Sequence, residues 1–463
     1  MSTAIKTSPP PSPQTHNRDR YLIVPKALYF LCSCFMYAPS LYQAKYLQDV
    51  WEISAKNYGY LNLVTIFSIV ASLAWSGVAD RYRAHKRILM LKSLLYGLSY
   101  CSMWFLEPFM INWSKQVRVM VIIGLFFVIT VCCSSIFPLL GTLVFSILES
   151  SESLRNGPIP PKRLLGRQKL FGTLGLGLVF AINGTLTDFI GYRAQFLIVS
   201  VTCLSFFAIA HFGLDKLPTS FQKVPENAEK TTESGTINLK KQPIPSWTTN
   251  IKILLSNWDF LLLLFIVFLI GVTGSVFNVY FSIFMSMILE GSTWKNRIMG
   301  YIYAVRLTVE IPIYIWGNIL IGIFGSYGVL LMGMAASALR PFGYSLLMKD
   351  ESTAHLGFIF ELCKGFSHAC NGLGGCVLAS DMAPPGAQGM AQALFTSAHH
   401  HAASVVSGLI CSLYLSFRNE NGVPTAQRIL IYRDLFFWTG IIGLIGTALN
   451  AYRLVIYKKR PRN

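Results

Sequence analysis

Residues 259–288 read DFLLLLFIVFLIGVTGSVFNVYFSIFMSMI, a run whose one charge, Asp259, stands at its start. A helix that crosses a bilayer needs about 20 predominantly apolar residues, so this stretch alone is long enough to span. Working outward, similar segments recur at 24–44, 58–79, 88–107, 118–147, 165–185 and 192–213 before it, with a polar break at 214–250. After it come 298–321, 328–347, 356–380, 388–415 and 433–457. The pattern is six, a break, and six, and it predicts an all-α polytopic membrane protein with twelve transmembrane helices.

Composition agrees. Of 463 residues, 53% are hydrophobic and only 13% charged, against about 25% charged in a soluble domain. This excludes a soluble enzyme, a disordered scaffold and a nucleic-acid binder. The formal charge of +18 is accounted for by loops. Arg81, Arg83, Lys86 and Arg87, then Arg155, Lys162 and Arg163, then the central break, then Lys458, Lys459 and Arg460 fall on one side. The opposite loops mix signs. By the positive-inside rule the first set is cytoplasmic, so both termini lie inside. Expected units are a disordered cytoplasmic tail over 1–20, a six-helix bundle over 21–213, a cytoplasmic linker over 214–250, a second bundle over 251–457 and a basic tail over 458–463. No cleavable signal peptide is read at the start. The ten cysteines all lie in apolar stretches without metal-ligand spacing, as small buried hydrophobes do. Neither a metal nor a cofactor is expected.

Ionisable residues far from helix ends carry the functional signal, because a charge at the bilayer centre usually faces a cavity or a partner. At 1.5 Å per residue, Arg306 and Glu310 lie about 12 and 18 Å below the outer face, Arg340 about 12 Å, and Glu361, Lys364 and His368 about 8, 12 and 18 Å. Three successive spans thus bring charge to one layer. Arg306 and Glu310, Glu361 and Lys364, and Lys364 and His368 each share a helix face. Such carboxylate–cation–histidine sets can relay protons, or can simply lock helices together. Three fixed cations face two carboxylates, which favours anionic or acceptor-rich solutes. Consecutive His399, His400 and His401 point about 100° apart on a helix and cannot jointly hold a metal; one is expected to face a cavity. Tyr29, Tyr42, Phe277, Asn278 and Tyr280 are candidates to line a pathway, Tyr29 and Asn278 as substrate contacts. Asn183-Gly-Thr185 matches a glycosylation sequon placed too near the bilayer for use.

The turn Ser76-Gly77-Val-Ala-Asp80-Arg81-Tyr-Arg83-Ala-His85-Lys86-Arg87 resembles the loop 2–3 signature of the major facilitator superfamily. Asp80, Arg81 and Lys86 match it, while Ser76 and Arg83 replace its two glycines. Pro25-Lys-Ala-Leu-Tyr29-Phe, Gly166-Arg167-Gln-Lys169-Leu-Phe-Gly172-Thr, Glu310-Ile-Pro312, Leu339-Arg340 and Ala391-Gln392-Ala-Leu-Phe395 together resemble the branch of bacterial lactose permease and the nucleoside:proton symporters. The resemblance implies two pseudo-symmetric six-helix bundles that rock around a central site, with proton-coupled uptake of a small polar solute. It implies a conformational gate at Asp80, Arg81 and Lys86. Arg340 falls where the branch keeps an arginine tied to proton coupling, and Glu361 and Lys364 fall on the helix-10 face that holds the permease's Lys and His; its next acid position matches Ser367. Lys169 takes the place of its sugar-binding arginine, but the partner acid of helix 4 corresponds to Gly141 and the sugar-stacking Trp to Leu176. The galactoside site is not preserved.

The expected function is therefore proton-coupled symport of a small polar metabolite (a nucleoside, sugar or organic anion), with Glu310, Arg340, Glu361, Lys364 and His368 coupling protons and Lys169 and Arg306 near the substrate. A uniporter or exporter on the same fold, and a non-transporting receptor or scaffold, stay open. A membrane enzyme is not expected. The chain is expected to act as a monomer, in the plasma membrane or an organellar membrane.

Overall fold

The computed structural model describes residues 14–82, 84–150, 161–214, 247–384 and 388–459, and these are almost entirely helical. The expected linker falls outside the described residues over 215–246, and the two expected tails over 1–13 and 460–463. Helix α1 (Gln14–Asp49) begins inside the stretch expected to be a tail. It is followed by α2 (Ala55–Leu61), a 3₁₀ segment (Asn62–Ile66), α3 (Phe67–Tyr82), α4 (His85–Met110), α5 (Lys115–Cys133), α6 (Ile136–Ser150), α7 (Pro161–Ile190) and α8 (Arg193–Leu214). A short helix that hydropathy did not announce, α9 (Trp247–Ser256), leads into α10 (Trp258–Ile288). Then come α11 (Lys295–Val305), α12 (Leu307–Ser345), α13 (Glu351–Ala354), α14 (Gly357–Cys370) and α15 (Cys376–Asp381). The last three are α16 (Gln388–Thr396), α17 (Ala403–Phe417) and α18 (Thr425–Lys459). Ten helical stretches among the described residues are long and apolar enough to cross a membrane. The apolar run over 259–288 is α10, whose start is set by the Asn257 side chain accepting from the Asp259 and Phe260 amides.

Several of the expected spans are not plain α-helices: 58–79 includes the 3₁₀ segment, and 298–321 is divided between α11 and α12 at Arg306. Residues 118–147, expected as one, divide between α5 and α6, with Ser134 extended (ψ 138°) and Ser135 left-handed (φ 62°). Pro138 explains the break, since it has no N–H to give the Ser134 carbonyl four residues back. The tenth and eleventh expected spans each contain a π-helical turn, at Asn371–Gly375 and Ser397–Ala402. Helix α12 reverses at Gly325 (φ 70°, ψ 164°), a backbone that strongly favours glycine, which separates the eighth and ninth expected segments.

Large apolar side chains such as Ile111, Met120, Leu204, Phe212, Ile323 and Phe417 point outward, as a lipid-facing surface requires. At the end of the molecule where α1 stops and α2 begins (the distal end), helices from the first and second halves of the chain meet backbone to backbone. A Cβ on Gly300 of α11 would stand 2.5 Å from the Phe180 carbonyl of α7, and one on Gly184 would stand 2.6 Å from the Asn296 carbonyl. Gly408 of α17 meets α2 in the same way, 2.5 Å from the Gly59 carbonyl. Only glycine permits such approach. Asp188 of α7 then accepts hydrogen bonds from the Asn296 and Arg297 amides at the start of α11 (3.2 and 2.9 Å), and Tyr42 donates to the Asn296 carbonyl (2.6 Å). A carboxylate at a helix N-terminus is favourably placed against unpaired amides and the helix dipole.

Candidate functional site: a buried charge layer

Helices α11, α12 and α14 bring the six expected ionisable residues together, five in two ion-paired groups and Lys364 between them. Arg340, on the second arm of α12, donates through Nε and Nη2 to Glu361 Oε1 of α14, at 2.9 and 2.5 Å. Tyr344, one turn further along α12, donates to the same oxygen at 3.0 Å. The guanidinium lies 3.8 Å above the Phe277 ring of α10, a cation–π contact. Arg340 is 3% and Glu361 0% exposed. Tight ring contacts among Phe277, Tyr344 and Phe281 surround this pair, so it sits in a packed aromatic shell away from water.

The second group is built differently. Glu310, on the first arm of α12, meets His368 of α14 with Oε1 at 2.8 Å from Nδ1. Its other oxygen stands 4.0 Å from Arg306 Nε, and neither of those two atoms has a hydrogen-bond partner among the described residues. The Arg306 guanidinium lies over Phe180 of α7 at 5.2 Å, and Tyr37 of α1 is close enough to interact electrostatically with both Arg306 and Glu310. Glu310 is buried, but the His368 side chain is 38% exposed. A carboxylate and an imidazole in direct contact, one of them open, can pass a proton between site and surroundings.

Lys364 lies between the two groups on α14, where i,i+3 and i,i+4 spacing put it on the faces of Glu361 and His368. Its Nζ makes no hydrogen bond or ion pair among the described residues and stands 3.7 Å from the Cβ position of Gly274 on α10. Asn278, one turn along α10 from Gly274, is exposed and thus shares that face. Lys169 on α7 is exposed. Tyr29 is buried, and its hydroxyl has no partner among the described residues. The expected pathway residues Tyr42 and Phe277 are committed elsewhere, to the distal contact and to Arg340, and Tyr280 is buried in the core.

At the basic turn, the Asp80 side chain and Arg83 fall outside the described residues. Arg81 is exposed, with its guanidinium 5.9 Å from the Tyr82 ring. Lys86 donates to the His211 carbonyl of α8 at 3.0 Å, tying the turn to a neighbouring helix. The three histidines occupy the π-helical turn, where His399 Nδ1 lies 3.3 Å from the Val267 carbonyl and the His399 and His400 rings stand 4.5 Å apart. Among the described residues no group of three His, Cys, Asp or Glu side chains could hold a metal ion. Asn183 is buried and donates to the Ala38 carbonyl at 2.7 Å, so the sequon is closed to a glycan in this conformation. Sequence reading missed Tyr344, whose role depends on a helix pairing that hydropathy does not encode. It also missed Lys92, which is fully buried on α4; Pro138, whose missing N–H frees a carbonyl nearby, was the available signal.

The family model described as the MFS_1 like family matches residues 22–418. Among solved structures, the nucleoside transporter NupG superposes with a TM-score of 0.68 at 13% identity, covering 93% of this chain and 98% of that one. A D-xylose-proton symporter gives 0.62 at 14% identity, covering 92% and 97%. A bacterial homolog of the human lysosomal transporter Spinster gives 0.64 at 11% identity, covering 94% and 96%. At these identities the likeness establishes a shared fold. No curated protein sequence matches the chain.

Proposed function

Because the chain belongs to the MFS_1 like family, a family of major facilitator transporters and not of enzymes, we propose that it is a proton-coupled symporter of a small polar solute. The observation that carries this reading is the Glu310–His368 pair, a buried carboxylate held at 2.8 Å by a half-open imidazole and flanked by Arg306. When Glu310 takes a proton it loses its charge, and both His368 and Arg306 lose their anionic partner. Arg306 and Lys364 are then two cations without an ion-pair partner among the described residues in one layer. An anionic or acceptor-rich solute restores the balance, with Lys169, Asn278 and Tyr29 as further contacts. Binding of solute and proton are thereby linked, which is the requirement for symport. Arg340 and Glu361 hold the second arm of α12 to α14 while this happens.

Alternating access by two six-helix bundles, twelve spans in all with both ends cytoplasmic, is the matching motion. The backbone contacts of α7 with α11 and of α2 with α17 support a state closed at the distal end. Asp80, Arg81 and Lys86 would gate the opposite end. The test is uptake into proteoliposomes of a mixed panel (nucleosides, sugars, amino acids and organic anions), with and without an inward proton gradient. Gradient-dependent accumulation of one class is expected. Downhill flux indifferent to the gradient would demote the charge layer to a helix lock and make the protein a uniporter.

A further inference from the structure

Lys92 is a fully buried cation with no role in the charge layer, and no carboxylate pairs with it among the described residues. Its ammonium instead fills the break between α5 and α6. It donates to the Ser134 carbonyl, to Ser135 Oγ at 2.9 Å and to the Val131 carbonyl at 3.4 Å, and it lies 4.9 Å from the Trp75 ring of α3. These acceptors are no accident of position. Pro138 has no N–H for the Ser134 carbonyl, and the ψ of 138° at Ser134 turns the Ser135 N–H out of the helical direction, so that the Val131 carbonyl takes the Ser134 hydroxyl at 2.7 Å instead. Both oxygens lack their helical donors inside the apolar part of the molecule, and for the Ser134 carbonyl the lysine takes the donor's place where an unmet carbonyl is costly. They also sit at the C-terminal end of α5, where the helix dipole favours a positive charge.

The break has a target. Beyond it, Phe137 of α6 packs on Tyr37 of α1 with ring centroids 6.2 Å apart, and Gly141 leaves its Cβ position 3.6 Å from the Tyr29 hydroxyl. Tyr37 in turn interacts with Arg306 and Glu310. We infer that Lys92 is a positioning residue for transport: by satisfying the carbonyl freed at Ser134 and holding Ser135 Oγ beside it, the lysine fixes the bend of the fourth span, and so sets α6 against the face of α1 that looks onto the charge layer. The inference rests on the transporter reading for its functional consequence, but its structural half can be tested alone.

Three variants separate positioning from simple stability: Lys92→Met, Lys92→Arg and Lys92→Met/Pro138→Ala. Amide hydrogen exchange over residues 131–140 and thermal unfolding in detergent are read beside the panel uptake. Lys92→Met is expected to raise exchange in this segment at least tenfold and to lower the maximal uptake rate at least tenfold. Lys92→Arg, which keeps the charge and donors, is expected to retain most of both. In the double variant residue 138 regains an N–H for Ser134, so stability returns; uptake stays low because the span is now straight. The proposal is overturned if Lys92→Met exchanges and transports as the parent does, or if the double variant recovers uptake together with stability. A parent protein that moves no member of the panel would count against the transporter reading and leave the exchange result to decide on Lys92.

Discussion

Glu361 and Glu310 are both buried carboxylates that face cations across the α12–α14 contact, yet their surroundings give them opposite duties. Glu361 meets a guanidinium that can never release its proton, through two hydrogen bonds to one oxygen, with a tyrosine on the same atom and aromatic rings on all sides. Glu310 meets the half-open imidazole of His368, and although each acid keeps one oxygen without a hydrogen-bond partner among the described residues, that of Glu310 stands within reach of Arg306. The difference shows how one helix pair combines a permanent fastening with a labile one. What distinguishes them is the partner's chemistry and access to water, not burial of the acid.

The largest effect is expected from cutting the fastening. Glu361→Leu leaves Arg340 buried without a counter-ion, a loss of about 3–5 kcal/mol, to be seen as a collapse in thermal stability in detergent. Adding Arg340→Met should recover most of it, because replacing both members of a buried pair is often nearly neutral. Failure of the double variant to recover would mean that the pair does more than fasten.

Glu310→Gln comes next. It is expected to leave stability and solute exchange close to the parent while reducing gradient-driven accumulation about tenfold or more, since the amide accepts a hydrogen bond but carries no exchangeable charge. Unchanged accumulation would end the distinction between the two acids. His368→Gln should act more mildly, by about two- to fivefold on the rate of gradient-driven uptake, because the amide can still hydrogen-bond Glu310 but cannot take up its proton. An unaltered rate would place the partner of that proton elsewhere.

A third ion pair gives the lower bound. Glu290 and Lys349 touch at 2.5 Å in the distal loops with both side chains about half exposed. The lysine's hydrogen bond and charge hold the Glu290 carboxyl below its usual range. A lowered carboxylate contributes stability at neutral pH and loses it as the pH falls through that lowered value; here solvent screens the contribution to near nothing. Lys349→Ala should leave the unfolding temperature within error of the parent at neutral pH.

How much of this could be read in the sequence follows from what periodicity encodes. Helix faces were legible: the i,i+4 pair Arg306 and Glu310 lies within 4.0 Å, and Glu361, Lys364 and His368 do share one side of α14. Partners between helices were not. The strongest contacts run from Glu361 to Arg340 and from Glu310 to His368, and they depend on how α12 folds back at Gly325 to pack on α14. Hydropathy is also blind to breaks inside an apolar run. It therefore passed over the α5–α6 bend and both π-helical turns, although Pro138 marked one of them.

The distal contact has a consequence of a different kind. The two crossings at Gly184–Gly300 and Gly59–Gly408 join peptide groups with no side chain between them. Such a seal is made by touching surfaces, and at contact range it escapes the counter-ion atmosphere, whose Debye length is about 8 Å at physiological ionic strength. The crossings themselves should thus be nearly indifferent to salt, and any salt dependence of closure should come from Asp188 at the α11 N-terminus. Spin-label distances across the α7–α11 crossing, measured from low salt to about 1 M in the parent and in Asp188→Asn, are expected to drift slightly in the parent and not in the variant. An equal drift in both would mean that another charge closes that end.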